Sequence, residues 1–431
     1  MSKSLIWKIE SRQADWFDER HLGKLARFFD LPYEDFCNGL EGPKPAGAVP
    51  EWRLGDFIAE TDEDVLGLVR GQVHADPARR RRGYEDVLVA RCSRTAYKTP
   101  QALVETLVAG TGIAEFESGL PPLSVTVEAS WAFDAMTYKH ADGRALVVKA
   151  PQLLWDCRCH SSDVGSCPIH GHANGTAIEK AMRSGLVDIR WGGVAAYWRY
   201  TPLLWPPSVD SLEFLRALEA AGVLAADCPR VLDLGAGTGF LGIALAARNA
   251  RVSHVDFADW LLTPLAFSML NWRRNVRRPH QTAGLRLGLS TRWIGGSPAG
   301  DAGYDLVVCN PPYLPLLPGF EGLGLQHTVA GTELLTDAIS AAAGLGRRVF
   351  VQVSNLAWIE ARAAADGTGV SLLPVGAARE VPFRIHEGLR NDAYIAKLVA
   401  DRGLRERSGA GHRFWHEIRT YEVKPSSPGS S

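Results

Sequence analysis

Asn310-Pro311-Pro312-Tyr313 is the segment of this 431-residue chain whose residue types are hardest to explain by folding alone. It follows the apolar run Leu306-Val307-Val308-Cys309, so it stands just past the end of a predicted strand. Two successive prolines hold the backbone extended there. Asn310 offers a side-chain carbonyl, and the Pro311 carbonyl faces no competing N–H from Pro312. Together they make two acceptors matched to the two hydrogens of one planar NH₂ group. Tyr313 adds a flat face on which such a group can stack. Cys309 reads as a buried strand residue, since attack by an amine or amide needs no thiol nucleophile.

A second set of residues lies upstream, beginning at Asp233. The strand-like run Val231-Leu232-Asp233-Leu234 enters Gly235-Ala236-Gly237-Thr238-Gly239 and then the apolar helix 241–247. Glycines at this spacing let the backbone turn tightly and approach a ligand with no Cβ in the way. The helix start that follows presents unpaired N–H groups. Gly237, Gly239 and Gly242 also satisfy the spacing of a dinucleotide-binding loop, so a nicotinamide-dependent oxidoreductase is one alternative and a ligand-free turn another. Asp256 is read as ending the next strand, Val252-Ser253-His254-Val255, where a carboxylate accepts both hydroxyls of a ribose.

The Asp-Leu-Gly-Ala-Gly-Thr-Gly loop with a downstream Asn-Pro-Pro-Tyr resembles the class I S-adenosylmethionine-dependent methyltransferases that modify planar nitrogens. That group includes DNA adenine-N6 and cytosine-N4 enzymes, RNA methyltransferases and the release-factor glutamine-N5 enzymes. The release-factor type is the closer likeness, through Leu314-Pro315 after Tyr313, the Gly-Thr-Glu-Leu-Leu stretch at 331–335, and Pro206-Pro207-Ser208 ahead of the first helix. The resemblance implies S-adenosylmethionine as cofactor and a Rossmann-like, seven-stranded α/β methyltransferase domain. It implies that Gly235, Gly237 and Gly239 shape the cofactor loop with Asp233 in support, and that Asp256 takes the ribose. It implies Asn310, Pro311 and Tyr313 as the catalytic set for the acceptor nitrogen. Many relatives carry Gly-Asp after the third strand; this chain has Gly288-Leu289-Ser290, which leaves the adenine amine to Ser290 or to backbone.

Cys157, Cys159, His160, Cys167, His170 and His172 fall within sixteen residues. Thiolates and imidazoles so concentrated suit a tetrahedral zinc. Cys157, Cys159, Cys167 and His170 are the expected ligands, with His160 or His172 as substitutes. The expected role is structural, because methyl transfer asks for no Lewis acid; an iron–sulfur cluster is a minor alternative. Arg79 to Arg82, and Arg273, Arg274, Arg277 and Arg278, could meet phosphates, but runs of charge are more often solvated faces.

The elements that position these residues divide the chain. Residues 1–202 read as an α+β domain: a helix over 12–29, a loop over 39–50, and a capping box at Thr61 and Asp64. A helix opened by Thr99-Pro100 and stopped by Gly110 follows, then a hairpin turning at 141–144, and the Cys/His loop at 157–172. From 203 to 423, apolar runs alternate with helical stretches, the pattern of a sheet wound on both faces. Residues 424–431 are Pro/Ser/Gly-rich and read as a disordered tail. Lys plus Arg is 47 against 48 for Asp plus Glu, a balance that argues against a chain coating nucleic acid by charge. No leader pattern and no apolar run of membrane-spanning length stand out, so the expectation is a cytoplasmic protein with reduced thiols. The reading is an N-methyltransferase acting on a planar amide or amine nitrogen of a small metabolite or protein side chain. The alternative is a DNA or RNA base N-methyltransferase (adenine N6 or cytosine N4) whose N-terminal domain reads nucleic acid. A non-catalytic binding module is the least favoured.

Overall fold

The structure, a computed structural model, describes residues 53–72, 75–129, 135–149, 175–201, 203–294, 303–320, 331–383, 391–409 and 412–426. The expected helix over 12–29, the loop over 39–50 and the whole Cys/His cluster lie outside them.

Four helices come first: α1 (Leu54–Gly71), α2 (Pro77–Cys92), α3 (Pro100–Ala109) and α4 (Thr111–Ser118). Thr99 Oγ1 accepts the Ala102 N–H at 3.1 Å and Gly110 caps the other end, as the local residues dictate for α3. The expected capping box at Thr61 and Asp64 is corrected. Both residues lie inside α1, and the Thr61 hydroxyl donates to the Phe57 carbonyl at 2.8 Å. A helix that starts seven residues earlier has no use for a cap there.

The strands β1 (Leu123–Ala129), β2 (Ala135–His140) and β3 (Ala145–Lys149) precede α5 (Gly175–Ser184), β4 (Leu186–Trp191) and β5 (Val194–Arg199). They make one sheet in the order β3-β2-β1-β4-β5, antiparallel except where β1 meets β4. The β2–β3 hairpin turns where its Ala-Asp-Gly-Arg stretch predicts.

The remainder runs α6 (Val209–Ala220), β6 (Arg230–Leu234), α7 (Phe240–Arg248), β7 (His254–Asp259), α8 (Leu262–Asn275), β8 (Thr282–Leu289), β9 (Arg292–Trp293) and β10 (Tyr304–Cys309). It ends with α9 (Glu333–Ser340), α10 (Ala342–Leu345), β11 (Gly346–Ser354), α11 (Trp358–Thr368), β12 (Val370–Pro382), α12 (Asp392–Arg402), β13 (Arg405–Gly409) and β14 (His412–Pro425). The second sheet is ordered β12-β14-β11-β10-β6-β7-β8-β9, with β13 attached to β14. Strands β6, β7, β8, β10 and β11 pair in parallel, and β14 runs antiparallel to β11 and β12. The described residues therefore give nine strands rather than the expected seven, because the two-residue β9 and the short β13 are added to seven longer ones. Lys424 and Pro425 belong to β14 and not to the tail.

Leu212 of α6, Ile243 of α7 and Leu265 of α8 are buried on one face of this sheet. Leu335 of α9 and Ala361 of α11 are buried on the other. The first face shares its core with the earlier elements, since Leu54, Phe116, Tyr138 and Trp191 belong to the same apolar cluster as Leu265 and Phe350. The joint is polar as well as apolar. Asn271 and Asn275, four residues apart on α8, bond β5 as a neighbouring strand would. The Asn271 amide accepts from Tyr197 N at 2.6 Å and donates to Tyr197 O at 3.1 Å. Asn275 does the same with Ala195, at 2.8 and 2.6 Å.

The start of α8 is held from a distance. Its N-cap residue, Leu261, has no capping side chain, and the carboxylate of Asp62 from α1 accepts instead, from Leu262 N at 2.7 Å and Thr263 N at 2.6 Å. No described helix is long and apolar enough to cross a membrane.

Candidate functional site

From β6 the chain crosses to β7 and β8 on one side, and later returns to lay β10 and β11 on the other. A crevice forms outside the carboxyl ends of β6 and β10, where the winding reverses. Gly235 to Gly239 leave the first of these strands, and Asn310 to Tyr313 leave the second. Both segments line one half-open cavity of about 170 Å³, closed on a third side by Trp205 and Pro206 of the connector before α6. Gly235, Gly237 and Gly239 all have positive φ, at 73°, 55° and 76°, which side-chain-bearing residues rarely adopt. A Cβ at Gly235 would also stand 2.8 Å from Leu334 Cδ2. Asp233 lies beneath the bend, buried, and accepts the Gly242 N–H at 2.8 Å, which ties β6 to the first turn of α7. Burial pushes its carboxyl up to about 7, against the pull of the Gly242 hydrogen bond.

The ribose acid expected at Asp256 is corrected. β7 does not stop there but runs on to Asp259, so Asp256 sits in mid-strand, fully buried and away from the cavity. It accepts from the Tyr304 hydroxyl at 2.8 Å and from Arg286 at 3.2 Å, with His254 Nε2 at 3.2 Å. Burial alone would raise its carboxyl, but His254, Arg286 and Tyr304 bring it below the ordinary value. Asp256 thus ties β7 to its neighbour β8 and, across β6, to β10. Asp259, at the strand end, lines the cavity and accepts Gly237 N at 3.1 Å and Trp260 N at 2.8 Å. Burial raises it to about 6, opposed by those backbone N–H groups. A signal was present in the sequence: Asp259 lies twenty residues after Gly239, the interval of a ribose-binding acid.

Asn310 is oriented by a residue that sequence reasoning did not single out. Its Nδ2 donates to Ser211 Oγ at 3.3 Å, and that oxygen also accepts Ser208 N at 3.4 Å. With the amide nitrogen so engaged, Oδ1 is the atom left to accept. Ser211 stands in the first turn of α6, so the connector before that helix sets the geometry of the asparagine. Pro311 and Tyr313 line the same cavity. The Tyr313 ring packs on that of His416, centroids 4.7 Å apart, and His416 Nδ1 is bonded to Ser354 Oγ at 2.9 Å. His416 is therefore part of a packed strand that backs Tyr313 and does not line the cavity.

Ser290 lies in a smaller hollow of about 40 Å³ that shares Gly235, Asp259, Trp260, Pro312 and Leu334 with the main cavity. Its φ is +58°, and its buried hydroxyl has no hydrogen-bond partner, a cost that a bound ligand would relieve. Glu333 lines this hollow and is paired with Arg80 of α2, while the Tyr84 hydroxyl of α2 donates to the Trp260 carbonyl at 2.7 Å. Elements before residue 200 thus brace the walls of the crevice.

The candidate phosphate-binding arginines are largely committed within the fold. Arg274 pairs with Asp188 at 3.1 Å and covers the Tyr197 ring at 3.5 Å. Arg273 reaches the carbonyls of Ala109 and Gly110, and Arg278 those of Ala246 and Ala247. Among the described residues no group of three or more His, Cys, Asp or Glu could hold a metal, and the expected ligands Cys157, Cys159, Cys167 and His170 lie outside them.

Comparison with known proteins places residues 214–317 in a match to the family model described as "Methyltransferase small domain". The release factor glutamine methyltransferase of Deinococcus radiodurans is 35% identical over 132 residues, which is 30% of this chain and 41% of that protein. The tRNA1(Val) (adenine(37)-N6)-methyltransferase of Aliivibrio fischeri is 33% identical over 94 residues, 20% of this chain and 34% of that protein. The chain thus spans well under half the length of these curated relatives. Among solved structures, ribosomal protein L11 methylase from Lactobacillus delbrueckii subsp. bulgaricus shares 14% identity over 52% of this chain and 82% of that one. The TM-score of 0.32 is too low to bear on fold or function.

Proposed function

We propose that this chain is an S-adenosylmethionine-dependent N-methyltransferase whose acceptor is a planar amide or amine nitrogen of a small metabolite or protein side chain. The observation that carries the reading is the shared cavity. The glycine bend after β6 and the Asn-Pro-Pro-Tyr segment after β10 line one space across the switch point. The residues present fit the cofactor: a bend that a Cβ would obstruct, a carboxylate at the end of β7, and an orphaned Ser290 hydroxyl in the adjoining hollow.

When bound, S-adenosylmethionine supplies a methyl group carried on a positively charged sulfonium. Asp259 takes the ribose hydroxyls, in place of the Asp256 expected from the sequence, and Ser290 meets the adenine edge. Asn310 Oδ1 and the Pro311 carbonyl accept the two hydrogens of the acceptor NH₂. That pairing pulls the lone pair out of conjugation and points it at the donor. Tyr313, held by His416, stacks on the planar group. Such positioning, with dipoles fixed before the substrate arrives, does much of the work of catalysis. Among the described residues the charged groups lining the cavity are Asp210 and Asp259, with no lysine or arginine. This lining favours an uncharged or cationic acceptor over a phosphate-bearing one.

The test is transfer of labelled methyl to cell extract divided into metabolite, protein and nucleic acid pools. Label in the nucleic acid pool alone would overturn the acceptor class. Asn310→Ala is expected to bind S-adenosylmethionine normally and to lose at least about a hundredfold in turnover. The proposed structural zinc at Cys157, Cys159, Cys167 and His170 rests on those residue types alone. Metal analysis of the purified chain is expected to find zinc, with less of it in Cys159→Ala. The cytoplasmic location is likewise a proposal from the sequence.

A further inference from the structure

A second notch opens away from the cavity, between α6 and the strand pair β12–β14. Its volume is about 100 Å³. Gln352 of β11 lines it, 4% exposed, and neither its amide nitrogen nor its amide oxygen has a hydrogen-bond partner. A primary amide taken out of water with both ends unmatched is costly, and such groups ordinarily meet a ligand, a water or a neighbouring side chain.

The notch owes its shape to a fault in β12. The pairing of β12 with β14 shifts register between Val375 and Arg379, and Gly376 there has φ +72°. Arg216, Arg379 and Arg419 line the notch, and Glu213 is the carboxylate among its lining residues. Glu213 pairs with Arg216 at 2.6 Å and stands 3.6 Å from Arg379, while Arg419 donates to the Gly376 carbonyl at 3.0 Å. Three cations against one anion leave the site positive.

The two ends of Gln352 set the ligand chemistry. Its NH₂ group and the guanidinium groups call for an anionic acceptor, and its carbonyl calls for a donor on the same small molecule. A simple oxyanion would leave that carbonyl unmatched. We propose that the notch binds a small carboxylate bearing a hydroxyl or amino group beside its acid, a hydroxy or amino acid. The site is independent of the methyl-transfer reading, because none of the residues that define it lines the crevice.

The experiment titrates the full chain with L-lactate and L-serine at millimolar concentration, following thermal midpoint and calorimetric heat, with acetate and sulfate as anions that carry no hydrogen to donate. L-Lactate or L-serine is expected to raise the midpoint and to bind at least about tenfold more tightly than acetate or sulfate. Gln352→Leu is expected to abolish that preference. Arg379 is mostly exposed, so Arg379→Ala is expected to keep its circular dichroism spectrum and to weaken binding at least about tenfold. The proposal is overturned if neither L-lactate nor L-serine binds, if acetate or sulfate binds as tightly, or if both variants bind like the parent chain.

Discussion

Three carboxylates crowd behind the glycine bend. Burial raises Asp233 and Asp62 to about 7 and Asp259 to about 6, from 3.8 in an exposed setting. The folded chain therefore holds protons that the unfolded chain releases. The stability these groups contribute is complete below 3.8 and is lost as pH rises through about 6 to 7. Cofactor binding should respond in the opposite sense, because a ribose needs the ionised form of Asp259. Lowering the pH from 8 to about 5 is expected to raise the thermal midpoint while weakening S-adenosylmethionine binding through about 6. Asp259→Asn should lose that pH dependence and bind at least about tenfold more weakly, whereas Asp256→Asn should bind normally and unfold at lower temperature. Affinity that stays level across this range would remove Asp259 from the ribose. The sequence made Asp256 the more visible acid because Val252 to Val255 already looks like a whole strand. That β7 starts later and continues through Phe257 and Ala258 is decided by pairing with β6 and β8, which no local residue announces.

Elements with local start and stop signals were legible, and elements finished by distant residues were not. The Thr99-Pro100 opening, the Gly110 stop and the β2–β3 turn are written within a few residues of the structure they produce. The cap of α8 is written two hundred residues away, in Asp62, whose own neighbourhood reads only as helix. Removing this acceptor leaves two N–H groups buried without partners. Asp62→Ala is expected to cost about 2–4 kcal/mol in denaturant unfolding, and Asp62→Asn, which keeps one acceptor, roughly half of that. Equal stability of all three proteins would show that the helix needs no such anchor. Ser211 was hidden for a related reason. Its value lies in facing Asn310 across the crevice, and a serine near a helix start is ordinary on its own.

At the scale of the whole molecule, residues before and after 203 pack as one body in the described structure. Tyr138, wholly buried in the first sheet, belongs to the same core as the helices behind the glycine bend. Tyr138→Ala is expected to cost about 3–5 kcal/mol and to lower together the temperatures at which helical signal and S-adenosylmethionine binding disappear. Two separated transitions would mean that the halves unfold independently. The near-zero net charge also takes on a local meaning, since arginines that could have met phosphates or solvent, Arg273 and Arg274, close internal joints instead. One of those joints governs how the molecule behaves among its own copies. The outermost strand of a sheet normally offers a row of amide hydrogens and carbonyls to any passing extended peptide. Asn271 and Asn275 occupy that row on β5 with a helix, which has no further row to hand on. Among the described residues, the margin of this sheet left for recruiting another polypeptide is the opposite one, β3, where Val147 stands exposed.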